Sequence, residues 1–208
     1  SKTKCIAWIK APRTLPKLQL CGDSLPWVNK VVHLGNTITN QSVTLEADMK
    51  IKNARYVSRN IEISPEFSFA AEETKIKVND VYNTSWYGSV LWDLFSPAAV
   101  RLESSWNRSM KVMLDLPLAT HRNLIEPLSG RSHIRRVFIL RFLNMISSIR
   151  ESKKPLLRTL LAVTQHRTTS TTGRNLRHIM LLQGENRIED IKAEASLCPY
   201  FPLPEEEA

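Results

Sequence analysis

Eleven prolines divide this chain into pieces of unequal kind, and their spacing limits what each piece can become. Proline fixes φ and has no backbone N–H, so a helix accepts it in the first turn and not in the interior. Pro12, Pro16 and Pro26 therefore keep the opening segment out of helix. Within it, residues 3–10 form a short, partly alternating apolar run. Leu18 and Leu20 precede Cys21-Gly22-Asp23, and Val31-Val32-His33-Leu34 precedes Gly35-Asn36. Short apolar stretches closed by glycine and Asn or Asp read as strands and turns, so a small sheet is expected at the edge of a larger body.

After Asn40 the apolar spacing becomes helical. Leu45, Met49, Ile51 and Tyr56 to Ile61 predict one helix, with Ser42 or Thr44 as its cap and Pro65 as its end. A second is expected from about Ala70 to Phe95, carrying Ile76, Val78, Val81, Tyr82, Trp86, Val90 and Leu94, with Trp86 and Trp92 about two turns apart on it. Ser96-Pro97 then starts a third, through Leu102, Trp106, Met110 and Leu114, which Pro117 breaks. His121 to Leu128, Ser132 to Glu151, Pro155 to Gln165 and Gly173 to Leu182 read as further helices. The fold class is therefore mainly α with a small N-terminal β element. The three prolines and three glutamates after Cys198 predict a frayed end.

Charge separates the body from this tail. Residues 1–188 hold 28 Lys and Arg against 14 Asp and Glu, whereas 189–208 hold one Lys against six acids. A basic body attracts polyanions, nucleic acid among them. No apolar run reaches the roughly 18 residues of a membrane span, and three cysteines at unrelated spacings suggest neither a disulfide framework nor a zinc module. His121 and His133 lack a closely spaced third ligand, so no metal site is expected. No Gly-X-Ser-X-Gly elbow supports a hydrolase. A reducing compartment, cytoplasmic or nuclear, is the expectation.

The order of short motifs carries more. Ser1-Lys2-Thr3-Lys4-Cys5 and Val31-Val32-His33-Leu34-Gly35 are followed by Tyr82 to Ser89, Leu91-Trp92-Asp93-Leu94, Ser105 to Ser109, Leu116-Pro117, Thr120-His121-Arg122 and Ile125 to Gly130. Together these resemble the last two palm motifs and the following region of LINE-type, non-LTR retrotransposon reverse transcriptases, jockey-like among them, over residues 1 to about 182. The resemblance implies the end of the palm over residues 1–41, a helical thumb over 42–118, a helical extension over 119–188 and an acidic tail over 189–208.

It also implies roles. Lys2 corresponds to a lysine near the incoming nucleotide that is proposed to help pyrophosphate leave, a task suited to a cation beside developing phosphate charge. Leu34 and Gly35 match the turn of the primer grip, where glycine permits a close backbone approach. The family's pair of metal-binding aspartates would lie just before Ser1, so no nucleotide transfer is expected from this chain alone: Mg belongs to the complete enzyme, and this chain needs no cofactor. The partners implied are an RNA template, a DNA primer and the palm and fingers of the same polyprotein, with no membrane.

Residue spacing supplies the contacts. Arg101, Arg108 and Lys111 recur at helical intervals opposite an apolar stripe and are the preferred phosphate contacts. Arg131, Arg135, Arg136 and Arg141 form the densest basic cluster. Arg135 and Arg136 are counted among the nucleic-acid contacts, and Arg141 is expected to pair with Glu126 or take a phosphate. The tryptophans read as helix packing, with base stacking as the alternative. The rival class is a non-catalytic helical scaffold or protein-interaction domain derived from a mobile element.

Overall fold

Two glycines, each second in a pair, set the geometry of the N-terminal region. A computed structural model describes residues 3–7, 14–40, 45–83 and 86–191. In it β1 (Leu18–Leu20) pairs antiparallel with β2 (Asp23–Leu25), and β3 (Lys30–His33) with β4 (Asn36–Thr39). Each hairpin turns over two residues, Cys21-Gly22 and Leu34-Gly35, with φ of 53°, 87°, 47° and 75° in that order. Positive φ at both positions gives the turn whose twist matches the flanking strands, and glycine takes the second without a Cβ penalty. The β element is thus two separate two-stranded sheets. Cys5 forms a parallel bridge to Trp27; the rest of the strand expected at residues 3–10 lies partly outside the described residues, as do Lys2, Ser42, Thr44 and the tail from residue 192.

Among the described residues seven α-helices follow: α1 (Glu46–Glu66), α2 (Glu72–Asn83), α3 (Pro97–Met113), α4 (Ile125–Ser129), α5 (Ile134–Arg150), α6 (Pro155–Gln165) and α7 (Thr171–Gln183). The mainly helical architecture agrees with the sequence pattern. Pro97 and Pro155 open α3 and α6 in the position where a missing N–H is harmless. Ser96 Oγ accepts the Ala99 N–H at 3.3 Å to cap α3. Pro65 does not stop α1 where it stands, because the helix continues to Glu66.

One expectation fails. The segment from Ala70 to Phe95 is not a single helix: α2 ends at Asn83, Gly88 turns the chain at φ 79°, and Ser89–Leu91 forms one 3-10 turn. Burial gives the reason. Trp86, Trp92 and Leu94 are 3%, 0% and 2% exposed, yet at about 100° per residue a continuous helix would point them in three widely different directions. Breaking the helix lets all three face the core.

That core runs without interruption from Met49 to Ile188. At its centre Trp86 tilts against Tyr56 at 5.3 Å, and Phe138 meets Trp86 and Trp92 edge-on at 5.6 and 5.4 Å, the geometry aromatic quadrupoles favour. The last helix closes the loop over it. Asn175 in α7 is fully buried, accepts the Leu94 N–H at 3.1 Å and donates to the Trp92 carbonyl at 2.8 Å. Its neighbour Arg174 grips the Asp93 carboxylate through Nε and Nη2 at 3.1 and 2.8 Å. Among the described residues no helix is long and apolar enough to cross a membrane.

Candidate nucleic-acid interface

Helix α3 is split lengthwise by its sequence. Leu102, Trp106, Met110 and Met113 are buried, whereas Arg101, Ser104 and Arg108 are exposed and Lys111 is half-buried on the other side. Spacings of three, four and three residues keep these four side chains within a sector of about 80°. Arg108 and Lys111 share a shallow depression with Ser104, Leu118 and Arg122. Lys111 Nζ donates to the Leu118 carbonyl at 2.7 Å, which retains its charge while fixing its position. Arg101 leans toward Glu46 on α1 at 3.8 Å, so its field is partly offset. The three predicted contacts thus lie on one face, and Arg122, which spacing did not mark, joins them because the chain folds back after Pro117.

Arg135 and Arg136 are placed elsewhere. Arg135 reaches the buried Glu103 of α3 through Nη2, with side chains only 11% and 5% exposed. Arg136 pairs with Glu126 of α4. Their cations therefore serve packing between helices. Sequence could not show this, because a carboxylate on a separate helix decides it. Arg141 does not pair with Glu126; its Nη1 approaches the Trp86 carbonyl at 3.4 Å.

Around Glu103 the electrostatics follow burial. Desolvation pushes the Glu103 carboxyl up, and Arg135 pulls the other way. His133, edge-on to Trp106 at 5.1 Å, is driven down to about 4, first by burial and then by Arg135, Arg122 and Arg136. A neutral imidazole at ordinary pH makes its 3.5 Å approach to Glu103 a contact of weak charge character. His121 sits on the surface, where Nδ1 accepts the Asn123 N–H at 3.3 Å and caps a short turn.

The hairpin predicted to act as a primer grip is fastened from below. Asp48 of α1, 1% exposed, accepts the Thr37 N–H at 2.7 Å and the Trp92 Nε1–H at 3.0 Å. Lys52, one turn on, pairs with Asp48 at 2.9 Å, donates to Asn36 Oδ1 at 3.0 Å and reaches the Tyr87 carbonyl. A buried ion pair holds only when its remaining hydrogen-bonding capacity is met, and here the backbone of β4 and of the Trp86–Gly88 turn meets it. Leu34 at the tip stays 70% exposed, while the Tyr87 ring rests over Gly35. Neither Asp48 nor Lys52 stood out in the sequence, since an acid and a lysine four apart are ordinary on any helix.

Five carboxylates are each tied to a different cation: Asp48 to Lys52, Asp93 to Arg174, Glu103 to Arg135, Asp115 to Lys75 and Glu126 to Arg136. No group of three His, Cys, Asp or Glu converges among the described residues. Comparison with family models, curated proteins and solved structures returns no match.

Proposed function

We propose that this chain is the palm end, thumb and helical extension of a LINE-type reverse transcriptase, and that it holds an RNA–DNA template–primer through phosphates without reading bases. The observation that carries the reading is the exposed face of α3. Arg101, Arg108 and Lys111 stand on one side of a helix whose other side is fully buried, with Arg122 beside them. Rigid, co-facial cations suit a regularly spaced polyanion, and contacts confined to phosphate fix position without carrying sequence. The Leu34-Gly35 hairpin, braced by Asp48 and Lys52, supports the same reading as a tip presented to a strand. The test is binding of the 208-residue chain to a labelled RNA–DNA hybrid across a salt series, beside a variant with Arg101, Arg108 and Lys111 changed to Ala. Salt-insensitive binding, or none by a folded chain at low salt, removes the proposal.

A second reading, a helical scaffold or protein-interaction domain, draws on α6. Leu156, Leu157, Leu160 and Val163 are 70%, 38%, 51% and 44% exposed there, whereas Leu161 is buried. Two-sided apolarity of this kind marks a surface suited to another protein. Concentration-dependent association abolished by Leu156→Lys with Leu160→Lys, together with absence of hybrid binding, would favour it.

A further inference from the structure

We infer that the cleft between α1, the end of α2 and the braced hairpin seats an unpaired strand of nucleic acid, two arginines taking its phosphates and one tyrosine stacking a base. Gly35, Lys52, Arg55, Arg59 and Tyr87 line the cleft, with Tyr56, Asn83 and Trp86 buried behind them. It encloses about 360 Å³, the lower end of the ~300–1,000 Å³ typical of ligand pockets. That space takes a single base with its phosphate and is too small for a base-paired duplex. None of its lining residues belongs to the depression on α3, so the two sites are independent.

Charge comes first. Lys52 commits its ammonium donors inside the fold, to Asp48, Asn36 Oδ1 and the Tyr87 carbonyl, and so shapes the wall without offering a ligand anything. Arg55 and Arg59 are different. Both are exposed on α1, and no acid lines the cleft beside them. Arg55 has no hydrogen bond or ion pair among the described residues, and Arg59 is steadied by one bond from Nη1 to the Tyr82 carbonyl at 2.5 Å, which leaves its Nε and Nη2 free. Four residues apart, their Cβ atoms stand about 5–6 Å from each other, so the two forks can converge on one phosphate or take two in succession.

Guanidinium groups alone accept any anion, and Tyr87 narrows the choice. Trp86, Trp92 and Trp106 are 3%, 0% and 4% exposed, so none of them can receive a base. Tyr87 is 60% exposed and shares the cleft with both arginines. Its ring lies against Gly35, where even an added Cβ would come within 3.5 Å of Cδ1, so the missing side chain is what lets the ring settle at the rim. An aromatic face beside free cations is the pairing that binds single strands: stacking accepts every base, and phosphate contacts ignore the sugar. Bases within a duplex already have their faces covered by neighbours, so the strand that fits is an unpaired one.

The test titrates the full chain with fluorescently labelled hexanucleotides of thymidine and of uridine, and with an abasic hexanucleotide carrying the same phosphates, read by anisotropy. The thymidine and uridine strands should bind within about threefold of each other and about tenfold tighter than the abasic strand. Tyr87→Ala should erase that margin and Tyr87→Phe should keep it, while Arg55→Ala with Arg59→Ala should weaken binding of all three strands about tenfold or more. The triple change on α3 should lower the three affinities uniformly at most and leave the margin intact, which separates the failure of this site from failure of the duplex-holding reading. Equal affinity for the abasic and thymidine strands, in a chain shown by circular dichroism to be folded, overturns the inference. A margin that survives Tyr87→Ala, or binding untouched by the double arginine change, places the strand elsewhere and overturns it too.

Discussion

Replacing Arg101, Arg108 and Lys111 together by Ala should change how hybrid binding depends on salt, and the structure sets by how much. Each phosphate neutralised contributes roughly −0.9 to the slope of log K against log salt. Arg108 has no acidic partner among the described residues, and Lys111 is held by a carbonyl, which leaves its charge intact. Arg101 lies 3.8 Å from Glu46 and therefore contributes between none and one. The slope should become shallower by about 1.8 to 2.7. Between 50 and 200 mM salt the wild-type chain should accordingly lose about tenfold to fortyfold more affinity than the variant. Fluorescence anisotropy with a short labelled hybrid measures both slopes, and circular dichroism confirms that the variant keeps its helices, as exposed substitutions on α3 should allow. Parallel slopes in two folded proteins would refute the assignment of phosphates to this face, whatever their absolute affinities.

Three further outcomes test the framework beneath the site. Gly88→Ala places a Cβ 1.9 Å from Asn36 Oδ1 at φ +79°, so urea denaturation should show a loss of about 3 kcal/mol; a loss under 1 kcal/mol would mean the Trp86–Gly88 turn is not locked against β4. Asp48→Ala leaves the Lys52 cation, the Trp92 indole and the Thr37 amide without their acceptor and should cost about 3–5 kcal/mol, with Asp48→Ala plus Lys52→Met recovering part of it. His133 is held near 4 in the folded chain against 6.5 in the unfolded one, so the unfolded chain takes up the proton first as pH falls from about 6.5 to 4 and stability drops by an order of 3 kcal/mol across that window. The raised Glu103 carboxyl works in the opposite sense, gaining its proton earlier in the folded state. His133→Gln should therefore flatten or reverse the acid loss in thermal melts, and an unchanged profile would show that His133 is not its source.

Much of the architecture was legible because proline and helical periodicity act locally. Pro155 and Gln165 bound α6 in sequence and structure alike, and Ser96-Pro97 starts α3 as the capping chemistry requires. The turn at Leu34-Gly35 was readable for the same reason, since a positive φ is a property of one residue. The break in the segment after Ala70 was marked only by Gly88, which a helix interior can tolerate at a cost, and the decision is made by partners far away: Phe138 against the tryptophans and Asn175 at the Trp92 carbonyl. The candidate site divides along the same line. Arg101, Arg108 and Lys111 share a face by spacing alone, but whether an arginine is open or buried depends on a carboxylate from another helix, as Glu103 decides for Arg135. Arg55 and Arg59 escaped notice because basic residues four apart on α1 are unremarkable until Asn83, Trp86 and Tyr87 close the other wall.

Trp92 connects these separate determinants. Its indole N–H is held by Asp48 on α1 and its carbonyl by Asn175 on α7, two residues 127 positions apart in sequence. The same Asp48 carries Thr37 of β4 and the Lys52 ammonium that reaches Asn36 and the Tyr87 carbonyl. A displacement of α7 would therefore reach the hairpin through one fully buried side chain, with no exposed loop between to absorb it. Packed cores transmit such shifts because they have no spare volume. Helix α7 is then more than an appendage: by holding the backbone at Trp92 and Leu94, it fixes the spacing between the Leu34-Gly35 tip and the basic wall of α1. Any strand seated between them meets a width set by residues from both ends of the described chain.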